Sequence, residues 1–201
     1  MSTAAPQGSS WNVPNVLTAI RVVLVPLFAW MLLSHPHDQH WRYWTTLVFI
    51  VAIATDFFDG KIARKYNLVT NFGKLWDPIA DKALTGMAFV GLSLLGELQW
   101  WVTIIILLRE WGITLLRWVV LKYGLVMAAT KGGKLKTLTQ SFALILYLTW
   151  LPKQPTVVQW VAWVLMGAAF VLTVVTGLDY VRMALRARQD ARAGEGTDLR
   201  G

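Results

Sequence analysis

The 201-residue chain contains no cysteine. Disulfides and thiolate metal sites are therefore excluded. Charge is scarce too. Only 15% of residues are Asp, Glu, Lys or Arg, against about 25% in an ordinary soluble domain. With 56% hydrophobic residues, the chain is too apolar for water and too long for a single anchor. The N-terminus lacks the basic region of a signal peptide, so residues 1–11 are expected to form a disordered tail ahead of a retained apolar helix. No internal repeat is visible, which weighs against a transporter built from repeats.

What is present is a series of apolar stretches. About 20 apolar residues cross ~30 Å of hydrocarbon as a helix. Six stretches fit or approach that length: 16–34, 43–63, 78–96, 100–122, 138–151 and 157–183. The fifth is short and is expected to start nearer Lys134. The predicted fold is all-α and membrane-integral, with a six-helix domain over 12–185 and a charged, fraying tail over 186–201. The net charge of +8 would suggest nucleic acid in a soluble protein. Here it fits loops facing anionic lipid, with no nucleic-acid partner. The connections after stretches one, three and five hold only Arg42 and Lys153 as cations. Lys61, Arg64, Lys65, Lys74, Lys131, Lys134, Lys136, Arg182 and Arg186 fall on the other side. The positive-inside rule then puts both termini in the cytoplasm of a multi-pass protein of the cell membrane. Trp41, Trp44, Trp100, Trp101, Trp150 and Trp160 mark the outer ends as an interfacial belt, whereas Trp30, Trp111, Trp118 and Trp163 are expected to pack.

The second stretch ends in TDFFDGKIARK. Asp56 and Asp59 are spaced i, i+3 and share one helix face. Gly60 and Ala63 leave that face almost bare, so a phosphorylated ligand can approach the backbone. Arg64 supplies a planar phosphate donor. Gly73 follows, and then WDPIADK, in which Asp77 and Asp81 are spaced i, i+4. Pro78 suits a first helical turn there. Carboxylates at membrane depth are expensive and mark function. Four together suit a hard divalent cation, and two such ions could clamp a pyrophosphate. The competing explanation is local: Asp77 as a helix cap, with Asp56 or Asp59 paired to Lys61 and Arg64.

The full pattern D-x2-D-G-x2-A-R-x8-G-x3-D-x3-D occurs here as Asp56, Asp59, Gly60, Ala63, Arg64, Gly73, Asp77 and Asp81. It resembles the signature of the CDP-alcohol phosphotransferases. That resemblance implies a six-helix bundle, usually homodimeric, with its active site facing the cytoplasm. Asp56, Asp59, Asp77 and Asp81 would hold two divalent ions, Mg²⁺ or Mn²⁺. Asp81 would also be the base on the acceptor hydroxyl, and Gly60, Ala63, Arg64 and Gly73 would line the CDP-lipid site.

Three more segments are similar to family members whose acceptor is sn-glycerol 3-phosphate: residues 12–21, 108–117 and 133–137. The expected substrates are thus CDP-diacylglycerol and sn-glycerol 3-phosphate, in contact with membrane lipids. Arg109, Glu110 and Arg117 sit in one apolar stretch, where Arg117 could reach an acceptor phosphate and Glu110 could hold Arg109 or a cation of another helix. TKGGKLKT places Lys134 and Lys136 beside flexible glycines, a phosphate-binding composition. Arg21 is expected to face the site or a lipid phosphate. The acceptor-phosphate candidates are therefore Arg117, Lys134, Lys136, Arg109 and Arg21. Alternative acceptors are phosphatidylglycerol and inositol phosphate, and a six-helix metal transporter is the alternative of another class. His35, His37 and His40 beside Asp38 could bind a transition metal, but a solvated loop is the simpler expectation.

Overall fold

The computed structural model describes the backbone of residues 13–65, 71–122 and 131–198, and the side chains of residues 19–55, 79–80, 82–116 and 132–185. Among the described residues six helices follow one another: α1 (Val13–Ser34), α2 (Gln39–Lys65), α3 (Asn71–Leu94), α4 (Trp100–Lys122), α5 (Lys131–Leu148) and α6 (Thr156–Asp198), with a 3₁₀ turn at Leu151–Lys153. Among the described residues one helical stretch, Thr156–Leu185, is by itself long and apolar enough to cross a membrane. Ala19–Ser34 and Lys82–Leu94 are shorter apolar runs.

Hydropathy locates the helices but not their ends. α3 starts at Asn71, well before the apolar stretch, and α5 starts at Lys131. Polar residues continue a helix wherever the backbone ladder can be extended, because intrinsic propensity varies by less than ~1 kcal/mol for most residue types. The same holds for α6. Its Ala- and Arg-rich continuation carries it to Asp198, through residues whose charge and glycines suggested a fraying tail. The N-terminal tail expected over 1–11 lies outside the described residues.

The chain forms two compact units. The first comprises Met1–Leu98 and Ile145–Gln159. In it α1 packs on α2 and α3, and α2 packs on α3. Phe28 and Leu32 of α1 meet a core of Phe49, Ala52, Leu84, Ala88, Phe89 and Leu92. The Phe28 and Phe49 rings lie 5.5 Å apart. Gly91 leaves room for the Leu32 side chain, whose Cδ2 would have to shift to admit a Cβ there.

Two caps fix the ends that carry charge in this unit. Asp38 Oδ1 accepts from the backbone N–H groups of His40 (2.9 Å) and Trp41 (3.1 Å), capping the first turn of α2. α3 ends in a Schellman motif. Gly96, at φ 72°, donates to Ser93 O and Glu97 N–H donates to Leu92 O. The left-handed glycine turns the chain so that Glu97 follows directly on the helix end.

The second unit comprises Gln99–Leu144 and Trp160–Gly201. Its core takes Val102, Ile106 and Ile113 from α4, Ala143 and Leu144 from α5, and Ala162, Met166 and Ala169 from α6. These recur at helical spacings of three, four and seven. Outward-facing positions are apolar as well: Val23, Leu108, Val157 and Val164 are 66–73% exposed. Apolar exteriors of this extent need a partner other than water. Trp44, Trp100, Trp101 and Trp160 are exposed, as a belt requires. Trp30, Trp111 and Trp163 are partly exposed too, and the rings of Trp30 and Trp163 pack edge-on against Trp41 and Trp160, with centroids 5.8 and 5.3 Å apart. Trp118 lies outside the described side chains.

Candidate functional site

The aspartate motif is entirely helical in its described backbone. Asp56, Asp59, Gly60, Ala63 and Arg64 occupy the last turns of α2, and Gly73, Asp77 and Asp81 the first turns of α3. The side chains of these eight residues lie outside the described ones, so their geometry rests on helix register. Register keeps Asp56 with Asp59, and Asp77 with Asp81, on one face each. One finding changes the balance of explanations. α3 begins at Asn71, so Asp77 and Pro78 are inside the helix, not at its start. Asp77 has no end to cap, and the capping explanation fails for it.

The cations proposed for the acceptor fall into two kinds. In the second unit, Glu110 of α4 forms an ion pair with the Lys136 ammonium of α5 and another with Arg109, at 3.1 Å. Arg109 Nη2 also donates to Thr176 Oγ1 of α6 at 2.7 Å, and its guanidinium lies over the Tyr180 ring, 5.9 Å from the centroid. Gly177 makes this fit possible, because a Cβ there would stand 3.1 Å from Arg109 Cγ. Lys136 is 3% exposed. Three helices are thus tied at one level through Glu110. Sequence spacing anticipated that Glu110 would hold Arg109 or a cation of another helix; it holds both. The cradle of Thr176, Gly177 and Tyr180 carried no sequence signal.

Lys134, two residues before Lys136 and so on another face of α5, is exposed and makes no hydrogen bond or ion pair among the described residues. Gly132 and Gly133 are not a flexible loop as expected; they belong to the first turn of α5. Gly132 serves packing, since a Cβ would come 3.0 Å from the Thr176 methyl. Lys134 therefore projects from a helix N-terminal turn, itself attractive to anions. Arg21 of α1 is 1% exposed, its side chain buried within the protein. Arg117 lies outside the described side chains.

A further network, missed from sequence, lies in the first unit. Arg42 was read as a loop cation, but it sits in α2, 0% exposed. It grips Glu97 with two bonds, at 2.7 and 3.0 Å. Its Nε donates to Leu148 O (2.8 Å), Nη2 to Tyr147 O (3.1 Å) and Nη1 to Pro36 O (3.5 Å). All five guanidinium N–H donors are thereby matched, and two of them satisfy carbonyls at the C-terminal end of α5. The only hint in the sequence is that Arg42 and Glu97 are isolated charges in separate polar connections. The nearby histidines do not converge. His35, His37 and His40 rest on Trp41, Trp150 and Trp44 respectively, and no group of three metal-binding side chains occurs among the described residues.

The donor chemistry of α2 and α3 fits a hard divalent cation: four carboxylates in helix-interior positions of two packed helices, and no thiolate ligand in the chain. The sequence pattern of the CDP-alcohol phosphatidyltransferase family matches residues 11–175. The chain is 47% identical over 176 residues to a probable phosphatidylglycerophosphate synthase of Mycobacterium tuberculosis, covering 87% of this chain and 82% of that protein. It is 38% identical over 184 residues to the CDP-diacylglycerol–glycerol-3-phosphate 3-phosphatidyltransferase of Bacillus subtilis, covering 85% and 93%. It is 37% identical over 172 residues to the Rickettsia typhi protein of the same name, covering 85% and 96%.

Proposed function

The chain belongs to the CDP-alcohol phosphatidyltransferase family, and from that premise we propose that it transfers the phosphatidyl group of CDP-diacylglycerol to sn-glycerol 3-phosphate. The products are phosphatidylglycerophosphate and CMP. The names of the relatives support this donor and acceptor. The structural observation that carries the proposal is the position of Asp77 inside α3. It removes the helix-cap role for that carboxylate, which supports a ligand-binding one.

In this proposal the six helices form a multi-pass bundle in the cell membrane, both termini and the active site are cytoplasmic, and the enzyme acts as a homodimer. The Lys and Arg excess on one side supports the orientation. Asp56, Asp59, Asp77 and Asp81 would hold two divalent cations, Mg²⁺ or Mn²⁺. When bound, such ions supply positive charge to the pyrophosphate and to the departing phosphate oxygen. Gly60, Ala63 and Gly73 let the nucleotide approach the backbone, and Arg64 donates to its phosphates. Lys134 and Arg117 bind the acceptor phosphate directly, joined by Lys136. Asp81 accepts the proton of the free primary hydroxyl. That oxygen then bonds to the phosphorus bearing diacylglycerol, and the bond to CMP breaks, CMP leaving with the electron pair.

The test is CMP release by purified protein given CDP-diacylglycerol and, in separate reactions, sn-glycerol 3-phosphate, phosphatidylglycerol or inositol phosphate. Release is expected with sn-glycerol 3-phosphate alone. Release with one of the others in its absence, and none with sn-glycerol 3-phosphate, overturns the acceptor assignment.

A further inference from the structure

Glu110 presents a physical puzzle. A carboxylate next to cations that bind a phosphate should weaken that binding, because like charges repel. Yet Glu110 is paired to Lys136 and Arg109 at once. Arg109 is in turn braced by Thr176 and by the Tyr180 ring. The order of support runs from α6 through Arg109 to Glu110, and from Glu110 to Lys136. Lysine carries a compact charge on a flexible four-carbon stem, whose rotamer freedom is lost when the charge is fixed. A fixed carboxylate at its tip sets the direction of that stem before any ligand arrives, which lowers the ordering penalty on binding.

We infer that Glu110 is a positioning residue for the acceptor, acting through Lys136: its carboxylate holds the ammonium where the phosphate of sn-glycerol 3-phosphate is received. This rests on the proposed reaction and on Lys136 as one of its acceptor contacts. The electrostatic and the positioning effects have opposite signs, so experiment separates them. Loss of a mere counter-charge strengthens phosphate binding, whereas loss of a positioning group weakens it.

The experiment measures KM for both substrates and detergent-phase thermal stability for Glu110→Gln, Glu110→Asp, Lys136→Met and the Glu110→Gln/Lys136→Met double variant. Glu110→Asp keeps the charge but draws it back by one methylene, so it remains informative if Glu110→Gln fails to fold. The expected result is a rise of roughly tenfold or more in KM for sn-glycerol 3-phosphate in both Glu110 variants, the scale of one charge-assisted hydrogen bond. KM for CDP-diacylglycerol should stay within about twofold, and the double variant should be little worse than Lys136→Met alone, as expected of groups acting through each other. An unchanged or lowered KM for sn-glycerol 3-phosphate overturns the inference, and so does a parallel rise in both KM values with falling stability. If Lys136→Met leaves KM for sn-glycerol 3-phosphate unchanged while the wild type turns over, the inference fails and the reaction stands. If the wild type releases no CMP with sn-glycerol 3-phosphate, it is the proposed reaction that fails.

Discussion

Arg42 and Arg109 are both helical arginines held by a glutamate, one in each compact unit, and their surroundings differ in kind. Arg42 has one carboxylate to itself, bonds it twice, and directs its other donors to backbone carbonyls. Arg109 shares a single carboxylate oxygen with Lys136, a cation of another helix. A one-to-one pair with every donor matched fastens helix ends together. A carboxylate divided between two cations on different helices fixes the direction of a side chain. Composition alone does not distinguish the two, since each is an Arg–Glu pair in an apolar setting; the partners' backbone positions do.

The largest effect that would sharpen this contrast lies at the aspartates. Asp81→Asn removes the proposed base and one proposed metal ligand. Turnover should fall by at least 10² to 10⁴-fold, the usual weight of general-base assistance, while thermal stability stays near wild type. CMP release within about tenfold of wild type would remove Asp81 from the chemistry. Arg42→Met is the opposite pole. It leaves the partly buried Glu97 without its cation and the Tyr147 and Leu148 carbonyls without donors. Breaking a buried pair in this way costs about 3–5 kcal/mol, read as a lowered melting temperature in detergent. The surviving protein should keep both KM values. An Arg42→Met protein of unaltered stability and raised KM would dissolve the distinction between the networks.

Legibility from sequence follows the range of the interactions involved. The aspartate motif was readable because its spacing is local: three and four residues put carboxylates on one helix face whatever surrounds them. The existence of all six helices was readable from apolar runs. Their ends were not, because the first turns of α3 and α5 are polar and continue the helix without an apolar signal. That error mattered for Asp77 and Pro78, placed at a helix start, and for Gly132 and Gly133, placed in a loop. The bonds of Arg42 to Glu97 and to Leu148 were not readable, since the partners are 55 and 106 residues away. Glu110 is an intermediate case. Its apolar neighbourhood demanded a partner, but nothing local chose Lys136.

Lys134→Ala tests the comparison at smaller scale. Lys134 is exposed and has no bond to lose among the described residues, so stability should change by less than ~0.5 kcal/mol. If it meets the acceptor phosphate, KM for sn-glycerol 3-phosphate should rise roughly 10 to 150-fold, from ~1.5–3 kcal/mol per charge-assisted contact. KM for CDP-diacylglycerol should hold. A parallel rise in both would mean that Lys134 reads the lipid substrate or the membrane surface.

The smallest expected effect concerns how Arg42 is delivered to its partners. Asp38 caps α2 through two side-chain bonds, and its own carbonyl accepts from the Arg42 N–H at 2.9 Å. The cap therefore sits one turn ahead of the arginine and shares that turn with it. Asp38→Ala removes the side-chain acceptor but keeps the backbone bond, so the loss should be about 1 kcal/mol, as for other N-caps. Asp38→Asn keeps an acceptor in place and should recover most of it. If the cap works through Arg42, Asp38→Ala should cost less in an Arg42→Met background than in wild type, because the two perturb one turn. Additive losses would show that the cap steadies α2 independently and that the Arg42 network closes without help from its own helix end. Neither Asp38 variant should alter KM for sn-glycerol 3-phosphate, since the residue belongs to the fastening network and not to the one proposed to receive the phosphate.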